Sequence, residues 1–348
     1  HFEIPDDVTE IAPMAFFSCS RLSEIKIPAN ISSIDSSTFQ DCTSLSSIEF
    51  LGDIKSIGRH AFEGSGLREI RIPDSVSFLG ESAFRGCTKL EEITIPISIQ
   101  KIEKCTFENC TDLRSVIINE GCTHIELLAF ANCSNLTEIR LPSSLTHLGN
   151  GTFSGCELLS QITLPSKLEE IGTNPFSFCT NLQTITMDGC SNYICLNSTI
   201  LDSTKTRLIS APAVSDRYII PDSVQEIGDF SFAGNENIQI VNIPANVFSI
   251  GEYVFCDCVN LKECNAKGYN LNWGKSAFVG CNQLKRVRTS SNAYNKSFDG
   301  EEKLFSPLLS EASSELTSQT MRMLPQELVE IDLKFESFQM LSENMKKI

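Results

Sequence analysis

Fifteen cysteines are the side chains of this 348-residue chain best suited to chemistry, and nine of them fall at one recurring spacing. Cys19, Cys42, Cys87, Cys110, Cys133, Cys156, Cys179, Cys258 and Cys281 each stand three residues after a phenylalanine. Thiols in such a row could form disulfides, bind a soft metal or exchange electrons. The same position is Ser65 or Asn235 in other copies, so it demands no covalent partner. Equivalent atoms of copies stacked as strands point in parallel about 4.7–4.9 Å apart, whereas disulfide Cβ atoms converge to about 3.8 Å. No Cys-x-x-Cys pair or accompanying histidine cluster supplies a zinc set. The row therefore reads as a ladder of buried free thiols acting as small apolar fillers. A disulfide would have to draw on Cys105, Cys122, Cys190, Cys195, Cys256 or Cys264, which lie off the row.

His124 and His147 share one slot in adjacent copies, between Lys101 and Glu170, within reach of one ion or proton. Without a third ligand they read as a stacked pair of exposed turn histidines. The chain has no Gly-rich phosphate loop, no His-Glu-x-x-His and no nucleophile elbow. Nothing in this inventory implies a catalytic residue, a metal or a cofactor, and the chain reads as non-enzymatic.

The element that positions these side chains is a repeat. Pro5, Pro28, Leu51, Pro73, Pro96, Asn119, Pro142, Pro165, Asp188, Pro221, Pro244, Lys267 and Ser290 occupy one slot at a step of 23 residues, once 22 and once 33. A period of this length marks a solenoid, whose units bury their apolar faces only by stacking on one another. The quartet before the slot, as in Ile93-Thr94-Ile95-Pro96, alternates with period two and reads as a short strand that proline terminates. Apolar residues follow three and six positions after the slot, then often a glycine such as Gly58, Gly80 or Gly149 to allow a sharp corner. Phenylalanine falls eleven after the slot, from Phe16 to Phe278, and should build one internal spine. Apolar spacing of three after each Phe, as in Phe84, Cys87, Leu90 and Ile93, suits a helical or 3-10 turn leading back to the next strand. The fold class expected is an α/β repeat solenoid.

The pattern Leu90-x-x-Ile93-x-Ile95-Pro96-x-x-Ile99-x-x-Ile102-x-x-x-x-Phe107-x-x-Cys110-x-x-Leu113 resembles the BspA-type leucine-rich repeat, over at least residues 1–290. The resemblance implies a right-handed superhelix with short parallel strands on the concave side and short helical or 3-10 turns on the convex side. It also implies surface proteins with an adhesive role, whose partner is a protein such as a host matrix or cell-surface protein. The asparagine two after the slot survives only as Asn30 and Asn246; Ser75, Ser98, Ser144, Ser223, Asp7 and Asp53 replace it as short turn-bonding residues. The long step places Ser198-Thr199-Ile200-Leu201 and Thr206-Arg207-Leu208-Ile209 around Asp202–Lys205, which resembles the family's hairpin island, at about 189–218. Residues 291–348 read as a second island with an incomplete repeat, because Leu324–Ile331 echoes Leu164–Ile171, or as a flexible tail.

Composition fits a folded chain, with 41% hydrophobic residues and no apolar run near the roughly 20 residues a membrane span needs. A net charge of -16 disfavours nucleic acid or an anionic membrane as partner, and Lys285, Arg286 and Arg288 are too few to reverse this. No signal peptide is visible, and His1-Phe2-Glu3-Ile4-Pro5 opens within a repeat, as expected of a fragment. The family points to the cell surface or a secreted location; free thiols favour the alternative, a cytoplasmic scaffold for protein–protein interaction. Seven Asn-x-Ser/Thr sequons, at Asn30, Asn109, Asn132, Asn135, Asn150, Asn197 and Asn295, are compatible with secretion.

Strand residues two and four before the slot face away from the core. Glu24, Lys26, Glu49, Glu69, Arg71, Glu92, Thr94, Glu138, Arg140 and Thr163 therefore form the candidate protein-binding row on the concave face. The competing reading is a solvated sheet face whose charges compensate across strands.

Overall fold

The computed structural model describes residues 2–187, 189–212, 214–268 and 271–289. The expected second island, Ser290 and the Asn295 sequon lie outside the described residues.

Each 23-residue repeat forms one coil with a long strand, a two-residue strand and a turn-rich strip. Eleven strands of three or four residues, from Glu24–Ile27 to Arg286–Thr289, run along one face among the described residues. They pair in parallel and in register one repeat apart, as in Glu92↔Ser115, Ile93↔Val116, Thr94↔Ile117 and Ile95↔Ile118. A second ladder of two-residue strands, including Lys101–Ile102, His124–Ile125, His147–Leu148 and Glu170–Ile171, runs beside it. These strands end after one buried residue because the glycine corner or its equivalent follows at once. Gly80 carries no positive φ; its role is close approach, since a Cβ there would meet the Gly58 carbonyl carbon at 2.5 Å.

The expectation of helical or 3-10 turns on the opposite strip needs correction, because none of the described residues is helical. Two residues before and two after each spine Phe the backbone is left-handed, as at Ser37 (φ 57°), Asp41 (φ 58°), Asn109 (φ 62°) and Gly86 (φ 67°). Left-handed residues so closely spaced interrupt any right-handed helical run. What forms instead is a ribbon of tight turns. Alternate amides close local turns, Gln40 N to Ser37 O at 3.3 Å and Cys42 N to Phe39 O at 3.3 Å. The others donate along the solenoid axis, Ser37 N to Arg59 O, Phe39 N to Ala61 O and Asp41 N to Glu63 O, at 2.7–2.9 Å. The strip thus joins coil to coil by main-chain bonds, as the strands do.

Inside, the rings from Phe16 to Phe176 stack with centroids 5.1–5.8 Å apart and planes within 12°. The stack resumes from Phe232 through Phe255 to Phe278. All fifteen cysteines are free, and those of the ladder are buried except Cys19. They are more than fillers: Cys87 Sγ donates to Phe62 O at 3.1 Å, Cys110 to Phe84 O at 3.2 Å and Cys133 to Phe107 O at 3.2 Å. Each thiol thereby satisfies a buried carbonyl of the preceding coil. The serines replacing asparagine after the slot do similar work, Ser75 Oγ donating to Ile54 O and Ser144 Oγ to Cys122 O, both at 2.8 Å.

The 33-residue step inserts three antiparallel strands, Tyr193–Leu196, Thr199–Asp202 and Arg207–Ser210. The last two match the two segments read as a hairpin; the first was not separated by the sequence reading. Asn197 (φ 49°) and Ser198 (φ 58°) make the two-residue turn, with both φ positive as a type I′ turn requires. Arg207–Ser210 then pairs in parallel with Glu226–Ile227 and rejoins the second ladder. Ile200 belongs to the core before the insertion and Leu201 to the core after it.

Candidate protein-binding face

Alternation within each long strand sets this face. In Glu24–Ile27, Glu92–Ile95 and Gln161–Leu164 the even members are buried isoleucine or leucine, and the odd members are exposed. All ten residues of the candidate row, Glu24, Lys26, Glu49, Glu69, Arg71, Glu92, Thr94, Glu138, Arg140 and Thr163, are exposed. Several are engaged with one another. Lys26 Nζ lies 2.8 Å from Glu49 Oε2, and that hydrogen bond, with the charge of Glu49, raises the ammonium's pKa. Arg140 pairs with Glu138 in its own strand at 3.0 Å, and Thr163 shares a hydroxyl hydrogen bond with Thr186 at 2.8 Å. Cross-strand compensation is therefore real on part of the face, at the small energies of exposed pairs.

The row is not one unbroken sheet. Glu69–Ile72 bond to neither neighbour, so Ser47–Phe50 ends one sheet and Glu92–Ile95 begins another. This break coincides with the single 22-residue step between Leu51 and Pro73. Ordinary repeats run from Phe through Cys to Leu as in Phe84-x-x-Cys87-x-x-Leu90; here Phe62-x-x-Ser65-x-Leu67 is one residue shorter. The bond from Leu90 N to Cys87 O at 3.0 Å has no counterpart at Leu67. Gly66 is drawn tightly onto the coil before it, where a Cβ would meet Thr43 O at 2.2 Å. The shortened turn still brings Arg68 into the stack, Arg68 N donating to Ser46 O at 3.3 Å and Glu91 N to Arg68 O at 3.1 Å, and pairing is lost only over the four residues that follow. A second interruption, between Glu138–Arg140 and Gln161–Leu164, falls in a repeat of ordinary length, and repeat length does not account for it.

At Glu69–Ile72 the surface sinks into a depression of about 770 Å³, lined by residues that include Glu69, Arg71, Asp74, Glu92, Thr94 and Ile117. Glu69, Arg71, Asp74 and Glu92 form no ion pair, in contrast to Lys26–Glu49 and Glu138–Arg140 on either side. Ile117 is 40% exposed although it sits on a strand. Four members of the candidate row thus converge on one groove. The others lie along the strands flanking it.

The remaining polar clusters lead elsewhere. His124 and His147 stack with ring centroids 5.3 Å apart, in paired strands of the second ladder and not in turns. His147 Nδ1 meets Glu170 Oε2 at 3.1 Å, and His124 Nδ1 meets Thr123 Oγ1 at 2.9 Å. Among the described residues no group of three or more His, Cys, Asp or Glu could hold a metal ion. One position after the spine Phe, Gln40, Glu63, Arg85 and Glu108 form a charged row that the sequence reading missed. Gln40 Nε2 donates to Glu63 at 3.1 Å, and Arg85 bridges Glu63 at 3.2 Å and buried Glu108 at 2.8 Å. Arg85 is the one guanidinium facing two carboxylates here, and Glu108 Oε1 is buried without a hydrogen-bond partner. Burial pushes the Cys87 and Cys179 thiols up to about 12, so these two are held as unreactive thiols at neutral pH.

Parallel strands stacked in register at a leucine-rich period, with an exposed strand row and a Phe spine, define a leucine-rich-repeat solenoid. The model of the BspA type leucine rich repeat region matches residues 1–91, 77–201 and 215–307. The chain belongs to this family. It is similar in structure to a leucine-rich repeat protein from Bacteroides ovatus, 27% identical with a TM-score of 0.60, over 86% of this chain and 81% of that one. It is likewise similar to a leucine rich cell surface protein from Faecalibacterium prausnitzii, 25% identical with a TM-score of 0.60, over 85% of this chain and 89% of that one. Comparison with curated proteins found no match.

Proposed function

We propose that this chain is a non-enzymatic protein-binding module of a cell-surface or secreted protein, with an adhesive role, engaging its partner through the long-strand face. The observation that carries the reading is the row of ten exposed, regularly spaced polar side chains on one face of a rigid solenoid. The surface location is supported by family membership and by similarity to the F. prausnitzii cell surface protein. Among the described residues no helix is long and apolar enough to cross a membrane, so this part offers no helical span of its own.

The free thiols favour a second reading, an intracellular scaffold of the same architecture. They carry less weight once their burial is seen, because an oxidant reaches thiolates, and the buried ladder supplies few.

The test reverses Glu69, Arg71, Glu138 and Arg140 together and measures binding to a panel of immobilised matrix proteins and to whole cells. Loss of binding with unchanged circular dichroism supports the face. Binding that survives the four reversals rejects it.

A further inference from the structure

Resting on that reading, we infer that the groove at Glu69–Ile72 is the docking seat for an extended, lysine- or arginine-bearing segment of the partner protein. Two independent features of the groove point to this occupant.

The first is charge. Glu69, Asp74 and Glu92 surround the single cation Arg71, and none of the four is neutralised by an ion pair. Elsewhere on the face the structure closes Lys26 onto Glu49 and Arg140 onto Glu138. An acidic groove with uncommitted carboxylates is complementary to a cationic chain, and the overall charge of -16 adds long-range attraction for such a partner.

The second is apolar surface beside the charge. Ile117 stands 40% exposed in the groove wall, and Ile70 and Ile72 are 8% and 6% exposed where Ile93 and Ile95 are 3% and 0%. Lysine and arginine present an apolar stem with a charged end, which matches isoleucine adjoining glutamate. An extended chain offers such side chains to one face at every second residue, about 6.4–6.8 Å apart. The volume of about 770 Å³ is within the range that buries a ligand of several residues' side chains.

The probe is a fluorescein-labelled peptide of alternating lysine and threonine, read by anisotropy, with a glutamate-for-lysine peptide as its counterpart. Saturable binding that weakens by about tenfold or more in Glu69→Lys/Glu92→Lys is expected, each exposed charge contributing modestly. Glu169→Lys/Glu226→Lys makes the same change in net charge at exposed sites off this face and should keep affinity within about twofold. The glutamate peptide should not bind. Equal losses in the two variants would reduce the effect to net charge and overturn the inference, as would binding of both peptides or of neither. The two readings fail separately: if the four-residue reversal abolishes matrix-protein binding while the peptide ignores Glu69→Lys/Glu92→Lys, the face stands and the groove assignment falls, and if the reversal spares matrix-protein binding the face falls.

Discussion

Restoring the missing residue of the short repeat should close the gap in the long-strand sheet. A threonine inserted between Ser65 and Gly66 would give that turn the length of Cys87-Thr88-Lys89-Leu90. The neighbouring strand Glu92–Ile95 pairs with Ser115–Ile118 at four positions, which sets what Glu69–Ile72 would gain on each side. Taking about two hydrogen bonds to each neighbour, at a net 0.5–1.5 kcal/mol apiece, the gain is about 2–6 kcal/mol. Ordering one more turn residue costs roughly 1–2 kcal/mol. The insertion should therefore stabilise the chain by about 0–5 kcal/mol and raise the urea midpoint by some tenths of a molar unit. Hydrogen exchange gives the sharper reading. In the natural chain the Glu69–Ile72 amides should exchange much faster than those of Glu92–Ile95, and the insertion should equalise them. The same variant should lose the lysine peptide, because the groove fills as the strand moves in. Slow exchange at Glu69–Ile72 in the natural chain, or an insertion that lowers the midpoint, would refute the reasoning.

Two further outcomes follow from the core. Phe130 lies between Phe107 and Phe153 at 5.3 and 5.7 Å and is fully buried, so Phe130→Ala should cost about 3–5 kcal/mol in urea unfolding; Phe278→Ala, at an 8% exposed site, should cost less. The thiol ladder should make the protein sensitive to alkali. Cys87 and Cys179 are held protonated to about 12 when folded but ionise near 8.5 when unfolded. Above about pH 8.5 the unfolded chain binds fewer protons than the folded one, so stability is full below that pH and falls as pH rises, by about 1.4 kcal/mol per pH unit for each such thiol. A urea midpoint unchanged between pH 8 and 10.5 would contradict this, as would alkylation of Cys87 ahead of exposed Cys19 in the native state.

What the sequence disclosed depended on whether a feature leaves a periodic trace. The spine was legible because phenylalanine recurs at one position, and the strand row because Glu92-Ile93-Thr94-Ile95 alternates. The turn ribbon was mistaken for helix because a chain of three-residue turns and a 3-10 helix place apolar residues at the same interval. The distinguishing signal was present after the Phe, where Asp41, Gly64, Gly86, Asn109 and Asn132 favour a left-handed backbone. Before the Phe it was sparse: Gly151 and Asn174 carry it, but Cys105, Leu128 and Tyr253 adopt the same conformation without advertising it. Those residues are held there by the axial hydrogen bonds of the stack, a property of the assembled coils that no single repeat encodes. The charged row from Gln40 to Glu108 was missed for the opposite reason, because it occupies one slot in only four repeats and then gives way to Ala131 and Ser154.

This chain has two changes of step, and main-chain pairing on the long-strand face is broken at each of them as well as once, between Glu138–Arg140 and Gln161–Leu164, where the period is intact. The long one seals itself. Ser198 Oγ accepts from Ile185 N and donates to Gln183 O, both at 3.1 Å, while Cys195 Sγ donates to Ile185 O at 3.1 Å, so the inserted strands cover the edge of Thr184–Met187. The short one has nothing to seal it with, because a deletion removes chain where the insertion supplies it. Glu69–Ile72 is consequently a strand held in place by its buried Ile70 and Ile72 and by the coils on either side, with its hydrogen-bonding groups unspent. A deletion that costs several hydrogen bonds, and coincides with the uncompensated charges of Glu69, Arg71 and Glu92, is better explained by something that binds there than by the packing of the coil itself.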